Sequence, residues 1–169
     1  MKSQIRKGYR GFTLIEILIV VIILGILAAI VIPQFTNASK EAKQSALVTM
    51  VQSLRSQIAL FKLQHNDRLP GANPLVDTGG TFTQATFWDQ LTQFTDLAGA
   101  PVPAKDATHV YGPYMQSTPV NPLLNSSVVS NGNGSAAVAG AGFVYDYNAG
   151  IGSGKVWGTN DALGTIIAQ

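Results

Sequence analysis

A single carboxylate, Glu16, stands at the head of sixteen uncharged residues running from Ile17 to Ile32. Four cations precede it: Lys2, Arg6, Lys7 and Arg10. An acidic side chain placed in hydrocarbon costs at least about 2.5 kcal/mol, so a carboxylate in a membrane-spanning stretch marks a functional site and requires a partner. Other chemistry-bearing residues are sparse. His65 and His109 are the only histidines, too few for a metal cluster. His65 falls where a helix C-terminus favours positive charge, which suggests a capping role. No Ser-His-Asp arrangement follows from spacing. The string Gly150-Ile151-Gly152-Ser153-Gly154-Lys155 has some likeness to a phosphate-binding loop, but Ala149 stands where the first glycine is required. Val156 replaces the Ser or Thr that would hold magnesium, and a hairpin turn is the better reading. The sequence thus offers no catalytic residue and no assigned cofactor or metal site, and an enzyme is not expected.

The string Gly11-Phe12-Thr13-Leu14-Ile15-Glu16 resembles the cleavage and methylation motif of type IV pilins and type II secretion pseudopilins, and the likeness is close through Asn37. The resemblance implies that a prepilin peptidase on the cytoplasmic side cuts after Gly11 and methylates the new amine on Phe12. Glu16 is then the fifth residue of the mature chain. Gly11 and Phe12 become processing residues and Glu16 an assembly residue. Physical chemistry agrees: the cut places an ammonium in the same membrane layer as Glu16, and each charge neutralises the other. Two simpler readings compete. Residues 1–29 have the basic start, apolar core and small residues, Ala28 and Ala29, of a secretory signal peptide. A plain signal anchor would also keep its Lys and Arg residues in the cytoplasm. Neither gives a reason for Glu16.

Composition bounds the remainder. The formal charge is +2, but the first eleven residues hold four of the eleven Lys and Arg; seven cations against nine acids leave the mature chain at −2. The basicity therefore belongs to the leader, and nucleic-acid binding is not expected. There is no cysteine, so no disulfide can form. Within the resembled family, that absence leans toward the pseudopilin branch.

These residues need a long helix to position them. Phe35, Ala38, Ala42, Ala46, Met50, Val51, Leu54, Ile58 and Phe61 recur at three-and-four spacing, with Lys40, Lys43, Gln44, Gln52, Arg55 and Lys62 on the other face. One helix from about Thr13 to about Gln64 is predicted, about 80 Å long at ~1.5 Å per residue. Gly25 and Pro33 are its weak points, and Pro33 predicts a kink. The resemblance adds that this segment can lose helical structure as subunits pack. Asn66 to Gly71 ends the helix.

Gln84 to Leu97 reads as a second helix with Thr83 as N-cap and Phe87, Trp88, Leu91 and Phe94 on its apolar face. Trp88 and Phe94 are expected beneath an aromatic face formed by Phe143, Tyr145 and Tyr147. The strand Gly142–Asn148 should pair antiparallel with Lys155-Val156-Trp157. Ser126–Gly140 reads as an exposed loop or a loose hairpin. Tyr111-Gly112-Pro113-Tyr114-Met115 through Pro119-Val120-Asn121-Pro122 resembles the pseudopilin segment with an aromatic Pro-Tyr pair before a proline-rich turn. Asn121-Pro122-Leu123-Leu124-Asn125 departs from the family's usual Asp-Pro-Trp-Gly-Asn-type string. The resemblance also implies calcium in the loop after the last strands. Asp146, Asn148, Asn160 and Asp161 would be its oxygen donors, but the acid density is low, and a solvated turn is preferred.

The expected fold is α+β: a long N-terminal helix, membrane-spanning in its first half, packed on a small antiparallel-sheet head. The expected divisions are 1–11, a cleaved leader; 12–33, a transmembrane and filament-core helix; and 34–169, the amphipathic helix half plus a periplasmic head. The resemblance implies a homo-polymer built from an inner-membrane precursor, most like the major pseudopilin of type II secretion. Its partners would be the prepilin peptidase, an assembly ATPase with its inner-membrane platform, and minor pseudopilins. A type IV pilus subunit for adhesion, motility or DNA uptake is the alternative. A secreted or anchored enzyme or binding domain is the alternative of another class.

Overall fold

The computed structural model describes residues 11–71, 81–134, 139–148, 152–160 and 166–167, the last by backbone alone. The chain divides into two units, Met1–Lys40 and Glu41–Gln169. Helix α1, Leu14–Gln64, runs through the boundary. It starts where predicted because Thr13 and Glu16 close a capping box. The Thr13 backbone N–H and its Oγ1 both donate to Glu16 Oε2 at 2.9 Å, and Glu16 N–H donates back to Thr13 Oγ1 at 3.3 Å. It ends where Asn66 and Asp67 enter the left-handed region (φ 52° and 62°), which their short polar side chains tolerate.

In the first unit every side chain from Phe12 to Phe35 is exposed. The stretch is long and apolar enough to cross a membrane. The helix is uninterrupted through Gly25 and Pro33. Pro33 has no N–H to give the carbonyl four residues back.

In the second unit the rest of α1 buries Val51, Leu54, Ile58 and Phe61 of the expected stripe, but the preceding turn buries Leu47, while Ala42 and Ala46 are exposed. Helix α2, Gln84–Thr92, buries Phe87, Trp88 and Leu91. It is shorter than expected: the chain leaves it for β1, Phe94–Thr95, which pairs antiparallel with β2, Pro101–Val102. Phe94 is therefore a strand residue, only half-buried, and does not lie under the aromatic face. Phe82 takes that place, with ring centroids 5.8 Å from both Tyr145 and Tyr147. Thr83 sits at the N-cap of α2, but its hydroxyl bonds Thr86 Oγ1 at 2.6 Å and makes no cap bond.

The main sheet has the order β3-β4-β5-β6, formed by Val129–Asn131, Phe143–Tyr145, Val156–Thr159 and Ile166–Ile167. The β4–β5 and β5–β6 pairs are antiparallel, as expected for the first of them. The β3–β4 pair is parallel, with Val129 opposite Phe143. The sheet is therefore mixed, and part of the expected 126–140 loop is an edge strand. A parallel neighbour needs a long return, here 132–142, whose Gly and Asn residues carry no strand pattern. Phe143, Val144 and Tyr145 are all buried, so both faces of β4 are covered. The sheet meets α1 closely at Gly158, where a Cβ would lie 2.8 Å from Leu47. Arg55 Nε donates to the Val156 carbonyl at 2.9 Å.

Candidate functional site

The site is the N-terminal end of α1. Gly11 has open space around the position of a Cβ, so none of the described residues demands a glycine there. Phe12 is 82% exposed. Glu16 lies in the first turn of α1, where a carboxylate complements the helix dipole. Both bonds from Thr13 fall on Glu16 Oε2. The capping box thus holds the carboxylate back toward residue 12, the residue that would carry a new ammonium after a cut at Gly11. Gly11, Phe12 and Glu16 are brought together at one helix end. Gly25 and Pro33 lie farther along the same helix. Lys2, Arg6, Lys7 and Arg10 lie outside the described residues.

Thr13 was not singled out from the sequence, although Thr-x-x-Glu before an apolar run is a capping-box signature. Its side chain satisfies the carboxylate before any cleavage. Each large apolar residue on this helix gains about 1.5–3 kcal/mol when removed from water. A run of them outweighs the cost of one carboxylate that already has two hydrogen bonds.

Elsewhere the structure alters the sequence expectation for His65. His65 is fully buried and stacked on Phe61, with burial holding its pKa below the ordinary imidazole range. It is thus a neutral core residue and not a charged dipole partner. In the loop where the resemblance implies calcium and a solvated turn is preferred, Asp146 Oδ2 accepts from the backbone N–H and the hydroxyl of Ser153, at 2.9 and 2.6 Å. Its carboxylate thus serves the turn, and Asp161 lies outside the described residues. Ala149 to Ile151, part of the phosphate-loop-like string, also lie outside the described residues. Gly152 to Lys155 lead into β5, as a hairpin turn requires.

Asn121 is a second residue whose role was not read from the sequence. It is fully buried. Its Nδ2 donates to the carbonyls of Gly142 and Thr159, both at 2.8 Å, and its Oδ1 accepts from Leu123 N–H at 2.8 Å. It clamps the proline-rich segment to β4 and β5. The Asn-Pro pair signalled a turn, but only the fold shows what its amide reaches.

Comparison with known proteins agrees with this reading of the N-terminus. Residues 6–32 match the family described as the prokaryotic N-terminal methylation motif. A type II secretion system core protein G of Pectobacterium carotovorum is 40% identical over 63 residues, 36% of this chain and 40% of the relative. The protein of the same name in Klebsiella michiganensis is 33% identical over 89 residues, 50% of this chain and 62% of the relative. A fimbrial protein of Pseudomonas aeruginosa is 37% identical over 86 residues, 49% of this chain and 54% of the relative. The chain thus spans about two fifths to three fifths of the length of these relatives. No solved structure matches.

Proposed function

We propose that this chain, whose N-terminal segment carries the methylation motif, is the structural subunit of a pilin-like filament. The observation that carries this reading is the juxtaposition of Gly11, Phe12 and a capped Glu16 at the head of an apolar helix with no cover of its own. The precursor waits in the bacterial inner membrane with residues 34–169 on the periplasmic side. A prepilin peptidase removes 1–11 and methylates Phe12. Copies then leave the bilayer, and their helices replace lipid contacts with contacts to one another. Glu16 pairs with the Phe12 ammonium of an adjacent copy, an attraction stronger in a low-dielectric core than in water, and so sets the axial register. Repeated heterologous contacts give an open helical polymer. Gly25 and Pro33 supply the softer stretch of helix that packing needs. An assembly ATPase, its membrane platform and minor pseudopilins are the partners.

The filament is most like the pseudopilus of a type II secretion system, a reading supported by the relatives named core protein G and by the lack of cysteine. The similarity to a fimbrial protein supports the second reading, a type IV pilus. Expression with a peptidase, assembly ATPase and platform tests the common core: filaments of the cleaved chain should appear in the sheared fraction. Cleaved chain that stays wholly in the membrane fraction would contradict it. Genes for a secretin and a pseudopilin set beside this one favour secretion; a retraction ATPase favours the pilus.

A further inference from the structure

The C-terminal end of α1 is closed by a histidine with no exposed surface. The His65 ring lies flat on Phe61, centroids 3.9 Å apart and 10° from parallel, and meets Tyr111 at 5.2 Å and Tyr114 at 6.1 Å. Its Nδ1 is 2.7 Å from the Phe61 carbonyl oxygen, and its Nε2 is 3.0 Å from Thr95 Oγ1. A carbonyl only accepts, so Nδ1 carries the proton. In the neutral ring Nε2 then accepts from the Thr95 hydroxyl. Thr95 is itself buried, and its backbone exchanges both hydrogen bonds with Tyr111, at 3.0 and 3.1 Å. Tyr114 adds a bond from its hydroxyl to Gln64 Oε1 at 2.7 Å. One imidazole therefore joins three pieces of chain: the end of α1, β1, and the 111–115 segment. Tyr114 and Met115 of that segment also wall a groove of about 930 Å³ against Ala42–Gln57 of α1.

We propose that His65 is an acid-sensitive latch: neutral, it locks the end of α1 to the β1–β2 hairpin and the 111–115 segment; protonated, it releases them. Protonation leaves the Nδ1–H bond in place but forces Nε2 to donate, so the Thr95 hydroxyl must reverse. It also puts a charge among three aromatic rings and out of reach of water. Opposing influences are few. The Phe61 carbonyl favours the cation, and so does Asp96, in the turn after β1, through its backbone and its charge. Arg68, just past α1, opposes it. Burial pushes the Tyr114 phenol up to about 12, so it carries no charge here, and α2 contributes the uncharged Gln90, which lies beside Gly99 on the same side as the ring. Burial outweighs the rest and holds the ring below the ordinary imidazole value. The released state binds the proton more readily, so closure is favoured above about pH 6.5 and lost as pH falls below it.

The test uses the full chain in detergent micelles, with ring ¹⁵N spectra and amide exchange from pH 7.5 to 5.0. The expected result is an Nδ1–H tautomer at pH 7.5. Protection at 94–95, 101–102 and 111–115 should then fall about tenfold per pH unit below about 6.5, after correction for intrinsic exchange, until the buried ring itself titrates. Protection of β4 and β5 should hold. His65→Gln should abolish this slope, and His109→Gln, at a half-buried histidine paired with the exposed Asp106 at 2.8 Å, should keep it. An Nε2–H tautomer, a ring titrating at the ordinary imidazole value, or an equal slope in His65→Gln would each overturn the proposal. If His65→Gln does not fold, the wild-type ring titration decides.

Discussion

Glu16 carries two roles that a single substitution confounds. It is the last member of a capping box and also the only charge between Phe12 and Ser39. Glu16→Leu removes both roles; it should insert and be cleaved normally, since the chain becomes more apolar and Gly11 is intact. Glu16→Gln separates them, because glutamine keeps the bond from Thr13 N–H but has no charge. We expect both variants to accumulate as cleaved membrane monomer, with few or no sheared filaments. Normal filaments from Glu16→Gln, with Leu still defective, would assign Glu16 to the cap and remove its role in register. At Gly11 a side chain meets no obstacle among the described residues. Gly11→Val should therefore leave this chain's own fold intact and act through the peptidase, so that precursor of full mass persists. Cleavage at the wild-type rate would show that the glycine is not read by the enzyme.

At the scale of elements, the second unit depends on a few buried side chains that bring distant segments together. Trp88 is almost fully buried, 4.7 Å from Phe87 and 6.2 Å from Phe143 by ring centroids, and its indole N–H reaches the Ser127 carbonyl at 3.0 Å. Trp88→Ala should cost about 3–5 kcal/mol, a large share of a domain's stability. The unit beyond residue 40 should then become protease-sensitive; an unchanged melting temperature would place Trp88 outside the core. Asn121→Ala removes three hydrogen bonds; the Gly142 carbonyl keeps those from Thr159, but the Thr159 carbonyl and the Leu123 N–H lose the amide, at about 1–3 kcal/mol each. It should lower the melting temperature of the detergent-solubilised chain by roughly 10 °C or more. A shift of a degree or two would mean that the clamp is not needed.

These elements differ in how far the sequence shows them. The α1 stripe and the β4–β5 pair were readable because three-four spacing and a Gly-rich turn are local signals. The α2 end was misplaced because Phe94 continues the helical spacing, although its backbone is already committed to β2. The parallel β3 was missed because three residues beside a Gly-Asn-rich return carry no periodicity, and their pairing is decided by β4. Neither His65 nor Asn121 has a local signature for burial. Each is placed by side-chain hydrogen bonds 21 to 38 residues away, apart from the first bonds to its own neighbours.

At the scale of the whole molecule, the large apolar side chains from Leu14 to Ile32 are 43–85% exposed in the isolated chain. Each gains about 1.5–3 kcal/mol on leaving water, so the isolated state is not one the protein can occupy in aqueous solution. In the proposed function a bilayer would cover this surface before processing, and other copies would cover it afterwards. What separates this course from a signal peptide or a plain anchor is where the chain is cut and what is done to the new amine. Mass spectrometry of the N-terminal peptide of the mature protein reads both. The expected peptide begins at Phe12 and carries one added methyl on its amine. A mature chain that starts near Ala29 or Ile30, or an intact Met1 precursor in cells with an active prepilin peptidase, would contradict the filament-subunit assignment.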